Sequence, residues 1–351
     1  MKDPFLKIRQ TPYGWQAGFA FQVFHRPPEE WSNMRWGFNE GVLLEEALDR
    51  YRLFVESQAA QEAEFLAGAA PDVALALRGI RLPEEPLKMI LLGRYSAAEK
   101  DEAEKNGRRY ARQIFASFPF DFILFPAETE DAYHRISGES LLHFFPRVIQ
   151  VQRARVPLQA EYRPPWLPGL WQTTSRSNEQ IWRALDAMPH PTLFNILVKP
   201  CVPYPQERQE FQKIKESLSA QGGDPALAAR LAWVENYIKR RQAVWKKFFL
   251  AQVHLAGDEG LEYLLRSIGA ALTRDAGDLP LPGYQARIPE TTEESRDWLE
   301  KIRLLELTES SMRLDDLADA EEVFSIFRFP YRHKTGLPGA NFEPLPDLSL
   351  G

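Results

Sequence analysis

Residues 15 to 25, WQAGFAFQVFH, put Trp15, Ala17, Phe19, Phe21 and Val23 on a two-residue period, with Gln16, Gly18, Ala20 and Gln22 facing the other way. The alternation predicts a strand, halted by HRPPEEW. Between Val42 and Phe65 the apolar residues recur at helical spacing among Glu and Arg, which predicts a helix ending near Gly68. PLKMILLGRYS (86–96) predicts a strand, SAAEKDEAEKNGRRYARQIFASF (96–118) an amphipathic helix opened by a Ser cap, and PFDFILFP (119–126) a further strand closed by proline. Together they make a β-α-β unit. A short helix around Thr129–Ile136 follows, and the imperfect alternation of RVIQVQRARVPL (147–158) reads as an edge strand.

Residues 163–178, RPPWLPGLWQTTSRSN, are rich in proline, tryptophan and turn formers and mark a boundary, after which the pattern begins again. It predicts a helix over 177–188, a strand over 191–200, a long helical stretch from Pro205 to Lys247 interrupted at Gly222 and Gly223, and a strand over 248–257. A helix over 259–273, a strand over 283–289 and a helix from Thr292 to Leu307 complete this half. The fold class expected is α+β: two consecutive β-α-β-containing units, ferredoxin-like or split βαβ layers, with a long helical segment in the second half. The division is an N-terminal α+β unit (1–162), a Pro/Trp-rich linker (163–178), a second α+β unit (179–310), and a helix with a connector-like tail (311–351). The common order suggests a tandem or divergent repeat, although few identities link the halves.

A hydrophobic content of 44% over 351 residues is ample for packed cores. The net charge of −6 leaves no global field to draw the chain onto nucleic acid or an anionic membrane, so any such contact has to be local. The single cysteine, Cys201, excludes an intrachain disulfide and a cysteine-rich zinc site, fits a reducing cytoplasm and reads as a buried structural thiol. MKDPFLKIRQTPYGW lacks a signal-peptide core and no run of about 18 apolar residues occurs. The expectation is a cytoplasmic protein without membrane insertion, recruited to a membrane-associated complex if it works near one.

No G-x-x-x-x-G-K-[ST] occurs, and KTGLPGANF (334–342) carries its lysine before the glycines, whereas a phosphate loop needs it after them. Pro338 also removes one amide that a phosphate nest would use. The six histidines are scattered without H-x-x-x-H or H-E-x-x-H spacing, and G-x-S-x-G is missing. Glu128, Glu130 and Asp131 follow the strand ending at Pro126 and read as the acidic first turn of a helix. The sequence therefore predicts no catalytic residue, metal ligand or cofactor, and leans toward a non-enzymatic role; an enzyme with an unrecognised site, such as the 128–131 turn with a histidine, is the alternative.

The densest basic cluster is YIKRRQAVWKKFF (237–249), with Lys239, Arg240, Arg241, Lys246 and Lys247 beside Tyr237, Trp245 and Phe248. Cations interleaved with aromatics can hold phosphate and stack on bases, so Lys239, Arg240, Arg241, Trp245, Lys246 and Lys247 are candidate contacts for nucleic acid or a partner. They read equally as the solvated flank of a helix that buries Leu231, Val234, Ile238 and Trp245. A weaker patch is Arg328, Arg332, His333 and Lys334.

SMRLDDLADAEEVFSIFRFPYRHKTGLPG (311–339) resembles the passage that joins the N-terminal domain to the motor domain in HerA/FtsK-like ATPases, including conjugative type IV secretion ATPases. In that passage an acidic-capped helix leads to an F-R-x-P element and then a Leu-Pro-Gly turn. Ala320 to Phe327 correspond to the helix, Phe327, Arg328 and Pro330 to the F-R-x-P element, and Leu337, Pro338 and Gly339 to the turn. The strand-helix-strand units are similar to the α+β N-terminal domain of those proteins, and the resemblance spans about residues 86–339. It implies assembly with a P-loop motor ATPase subunit, or self-association, through a docking tail that includes Phe327, Arg328, Pro330, Leu337, Pro338 and Gly339. ATP hydrolysis is not implied, because the P-loop lies beyond this junction in the family. Nucleic acid binding through 237–249 is the second functional expectation.

Overall fold

The computed structural model describes residues 3–26, 40–60, 62–68, 70–158, 166–219, 225–243, 247–273, 283–331 and 340–346. The hairpin β1 (Lys7–Thr11) and β2 (Gly14–His25) opens the chain and is followed by α1 (Glu40–Ser57) and α2 (Glu62–Leu66). A second hairpin, β3 (Asp72–Arg81) and β4 (Lys88–Ala97), leads to α3 (Lys100–Ser117), β5 (Phe122–Pro126), α4 (Glu130–Ser137) and α5 (Glu139–Leu142). The second half contains β6 (Arg147–Arg153), the small ribbon β7 (Arg155–Pro157) and β8 (Trp166–Pro168), α6 (Ser175–Asp186) and β9 (Thr192–Cys201). It continues through α7 (Pro205–Ser219), α8 (Pro225–Gln242), β10 (Phe248–Gly257), α9 (Leu261–Leu272), β11 (Tyr284–Arg287) and α10 (Thr292–Leu304). Last come α11 (Arg313–Asp316), β12 (Leu317–Asp319) and α12 (Ala320–Ile326).

Ten strands form one antiparallel sheet in the order β1-β2-β4-β3-β9-β10-β6-β11, with β5 beside β1 on the outer edge of β2 and β12 beside β6 on β10. β4 and β5 run parallel to each other with β2 between them and α3 as the crossover; β10 and β11 do the same around β6 with α9. Each half is thus β-α-β-β-α-β, and in each the fourth strand lies beside the first, the first beside the third and the third beside the second: β5-β2-β4-β3 and β11-β6-β10-β9. The repeat anticipated from element order is present as a repeated strand order, and the class is α+β. The halves meet through their second strands, β3 and β9, with Arg78 opposite Asn195. The sheet therefore continues across the 163–178 segment.

The expected strands leave out β1, β3, β8 and β12, and β6 takes a different place. β3 shows neither clear alternation nor helical spacing, because both of its faces are covered and its run VALAL is apolar throughout. β6 is not the outermost strand: it lies between β10, which pairs with Arg147–Val151, and β11, which pairs with Gln150–Arg153, and its alternation is blurred by Gln150, Gln152 and Arg153, all buried.

One face of the sheet packs under α1, α3, α6 and α9 through Phe19, Phe21, Leu91, Ile114, Trp182 and Ile268. The other is covered by α4, α5 and α10, whose Tyr133, Leu142, Trp298 and Ile302 lie over Ala20, Ala76, Ile90 and Leu197. A third cluster joins α7 and α8 to the start of β10 through Phe211, Trp233, Tyr237 and Phe248. Gly93 lets the Phe19 ring lie directly on β4, since a Cβ there would fall 2.2 Å from the ring. Arg78, fully buried at the join of the repeats, donates to Asn195 Oδ1 (3.0 Å), the Ser137 carbonyl (2.5 Å) and the Ile302 carbonyl (3.0 Å). These carbonyls lie in the last turns of α4 and α10, so one cation satisfies the C-terminal ends of the two corresponding helices. Burial lowers its pKa to about 10, still well above neutrality.

Candidate functional site

Helix α8 buries Trp233, Val234, Tyr237 and Ile238, a stripe at i, i+1, i+4 and i+5, against α7 and β10. This phase turns Arg241 fully inward, where Nη1 donates to Glu322 Oε2 at 2.5 Å and lies 3.6 Å from Asp319, and Nη2 donates to the Leu317 carbonyl at 3.1 Å. Arg240 forks onto both oxygens of Asp319 at 2.8 Å. Arg153 of β6 donates to the other oxygen of Glu322 at 2.7 Å and to the Asp315 carbonyl at 2.6 Å. Three arginines from two distant elements converge on two carboxylates. Burial opposes the charge on Glu322, but Arg241 and Arg153 outweigh it and hold the carboxyl below its usual range. Burial likewise opposes the charge on Arg241, and Glu322, Tyr237 and Asp319 more than restore it.

This geometry corrects the surface reading of Arg240 and Arg241. Their guanidinium groups are held by Asp319 and Glu322, so they are not free to grip phosphate. Lys239 is exposed, and Lys247 pairs with Glu56 at 3.1 Å. Trp245 and Lys246 lie outside the described residues.

The passage 313–330 is where those arginines converge. Asp319 caps α12 through a capping box with Glu322, the arrangement its acidic start predicts. Beyond the helix Phe327 and Phe329 are buried, Arg328 is 4% exposed, and Pro330 accepts from His25 Nε2 at 2.9 Å. The Phe329 amide donates to Tyr51 Oη at 3.3 Å, and the Arg328 guanidinium donates to Thr173 Oγ1 at 3.2 Å. Phe327, Arg328 and Pro330 are therefore packed into the body and do not form an exposed docking tail. Leu337, Pro338 and Gly339, with Arg332, His333 and Lys334, lie outside the described residues. Further on, Asn341 bonds to Asp186 and Leu87, and Phe342 packs on Trp182, which also receives Phe329.

The acidic turn after β5 is the first turn of α4, capped by Thr129 Oγ1, which accepts from the Ala132 amide at 3.2 Å. His134 of that helix stands between two carboxylates, 3.6 Å from Glu130 and 3.4 Å from the buried Glu139. Lys7 pairs with Glu130 and lies 3.3 Å from His134, while Arg9 pairs with Glu139. Both acids are neutralised by the strand that crosses them. Ser137 Oγ, in the same helix, is engaged with the His134 carbonyl and the Glu139 amide. What the arrangement does chemically is fasten β1 to α4 and α5. Among the described residues no group of three or more His, Cys, Asp or Glu is placed to hold a metal ion. Burial pushes the Cys201 thiol up to about 12, so it is protonated at neutral pH.

A last polar cluster crosses the second face of the sheet. Gln252 donates to Asp316 Oδ2 at 2.8 Å and to the Thr308 carbonyl at 2.9 Å, and accepts from the Thr308 amide at 2.8 Å; Ser310 Oγ donates to Asp316 at 2.5 Å. Burial raises Asp316 to about 7 and lowers the adjacent His254 to about 3.

No protein-family model and no curated protein matches the chain. No helix among the described residues is long and apolar enough to cross a membrane. The carboxylates that meet Arg240 and Arg241 cannot be found from the α8 sequence, since they stand about eighty positions downstream. One local signal for the repeat is visible afterwards: Glu128-Thr129-Glu130-Asp131 and Glu290-Thr291-Thr292-Glu293 follow corresponding strands, and Thr129 and Thr291 cap corresponding helices.

Proposed function

We propose that this chain is a non-enzymatic assembly module that works with a HerA/FtsK-like DNA-translocating or secretion ATPase through protein–protein contacts, and that each repeat is a ferredoxin-like unit of its pre-motor body. The observation that carries the proposal is the fastening of residues 313–330. The passage that resembles the family's junction is held by three arginines, a capping box and three buried phenylalanines. A junction that couples a body to a motor has to resist being pulled out of the body, and breaking a buried ion pair by removing one partner costs about 3–5 kcal/mol.

The test mixes the purified chain with candidate P-loop motor subunits and measures co-migration and mass by size-exclusion chromatography with light scattering. A stable complex with a motor supports the proposal. Absence of co-migration together with a strictly monomeric mass at high concentration refutes it. Partnership with nucleic acid would instead give a salt-sensitive shift of DNA, and among the described residues of the 237–249 cluster Lys239 and Lys247 are the exposed cations that could produce one.

A further inference from the structure

Five arginines are buried among the described residues, and nearby oxygens answer the charge of four of them. Arg153 and Arg241 meet Glu322, Arg94 stands 3.5 Å from Asp72 and donates to the Leu305 carbonyl, and Arg78 donates to two carbonyls and Asn195. Arg328 is the exception. Its Nη2 donates to Thr173 Oγ1 at 3.2 Å and its guanidinium lies 5.2 Å from the centre of the Phe324 ring. Among the described residues Nε and Nη1 meet no acceptor, and no carboxylate pairs with the group. Burial pulls its pKa down to about 10, so the charge is kept at neutral pH.

A second donor stands beside it. Arg328 and Tyr51 line one cavity of about 20 Å³ between α1, α6 and the 328–331 segment. The Tyr51 hydroxyl accepts from the Phe329 amide at 3.3 Å and has no acceptor for its own proton among the described residues. Burial keeps that hydroxyl protonated, and Arg328 and Tyr51 act on each other electrostatically, which places the two donors together.

The surroundings call for an anion. Leu44, Leu48, Phe122 and Phe329 give the cavity apolar walls, against which a charge interaction is strong. Glu179, the acidic side chain at the cavity, is paired with Arg183 at 3.4 Å. A buried cation without an anionic partner is strongly unfavourable. The space has room for one body the size of a water molecule. A water there can accept from both donors, but it brings no charge to set against the guanidinium.

We propose that this cavity is a binding site for a small inorganic monoanion of halide size, held by the Arg328 guanidinium and the Tyr51 hydroxyl. The two donors come from elements far apart in the chain, so the ion ties α1 to the passage after α12. That passage is already fastened to α6 and the segment before it: Asn178 Nδ2 donates to the Arg328 carbonyl at 3.4 Å, and Thr173 Oγ1 donates to the Ser325 carbonyl. Occupancy therefore adds to the stability of the folded chain in proportion to halide concentration and affinity. The inference does not rest on the partner being an ATPase.

The experiment follows thermal unfolding of the full chain while sodium chloride or sodium bromide replaces sodium gluconate at constant ionic strength. A saturable rise in the wild-type midpoint is expected with either halide. Arg328→Met keeps the length of the side chain without its charge. It should match or exceed wild type in gluconate, lose the halide response, and fall behind wild type in saturating chloride. Tyr51→Phe should keep the response with affinity lowered at least about tenfold. Bromide-soaked crystals of the wild-type chain locate the ion by anomalous scattering, whether or not the variants fold. A bromide peak within hydrogen-bond reach of Arg328 and Tyr51 Oη supports the site. No saturable rise in the wild-type midpoint, an equal loss of stability by Arg328→Met in both salts, unchanged halide affinity in Tyr51→Phe, or no bromide peak in the cavity overturns the proposal. A peak there without an effect on unfolding marks an adventitious ion only and overturns it as well.

Discussion

Replacing Glu322 with glutamine tests the central claim about the 313–330 passage. Glu322 accepts from Arg153, Arg241, the Asp319 amide and the Trp171 amide, and its side chain is fully enclosed. In E322Q the shape is kept, but one oxygen becomes an NH2 group that must face an arginine together with a backbone amide, Arg153 with Trp171 or Arg241 with Asp319, donor against donor. The negative charge between Arg153 and Arg241 is lost as well. Removing one partner of a buried ion pair costs about 3–5 kcal/mol, a large share of the roughly 5–15 kcal/mol that holds a folded protein together. No solvent screening reduces that cost, because no member of the Arg153–Glu322–Arg241 group touches water. Equilibrium unfolding in urea, followed by tryptophan fluorescence, reads the loss. The pH dependence has a definite sign: the folded Glu322 carboxyl lies below its unfolded value, so its contribution is present above the unfolded carboxylate range and disappears as pH falls through the folded value. A loss below about 1 kcal/mol in E322Q, the size of an exposed pair, would refute the reasoning.

Gly93→Ala should destabilise the chain by about 1–3 kcal/mol, because its methyl group would enter the Phe19 ring; an unchanged urea midpoint would contradict that packing. Asp316 is raised to about 7 in the folded state, so its contribution is complete below about pH 4 and is lost as pH rises through 7; Asp316→Asn should flatten the stability profile over that interval, measured by thermal unfolding at stepped pH. Lys239→Glu, on the solvent side of α8, should leave stability within about 0.5 kcal/mol of wild type, whereas Arg240→Glu places a carboxylate against Asp319 and should lower it by more than about 2 kcal/mol. Equal melting temperatures for the two variants would return Arg240 to the surface.

The local elements were legible where one face of an element meets water. The amphipathic pattern of α3 and the acidic turn of α4 each record a boundary between core and solvent at a short period, whereas the alternation in β2 separates large apolar side chains on one covered face from small and polar ones on the other. β3 and β6 gave no such record. One is buried on both faces, and the other carries two buried glutamines bonded to each other and an arginine whose partners lie far along the chain.

By itself the sequence determined the α+β class and the recurrence of element order in two halves, because both rest on patterns within a few residues; the Ser cap expected for α3 is not formed, since Ser96 lies in β4 and the helix starts at Lys100 after Glu99. Only the tertiary structure decided that the halves share one sheet through β3 and β9, that Arg240 and Arg241 face Asp319 and Glu322, and that Phe327 to Pro330 lie inside the body. A side chain's charge is written in its residue, but whether that charge meets water, phosphate or a carboxylate eighty positions away is set by how the helix is turned when its apolar stripe is buried.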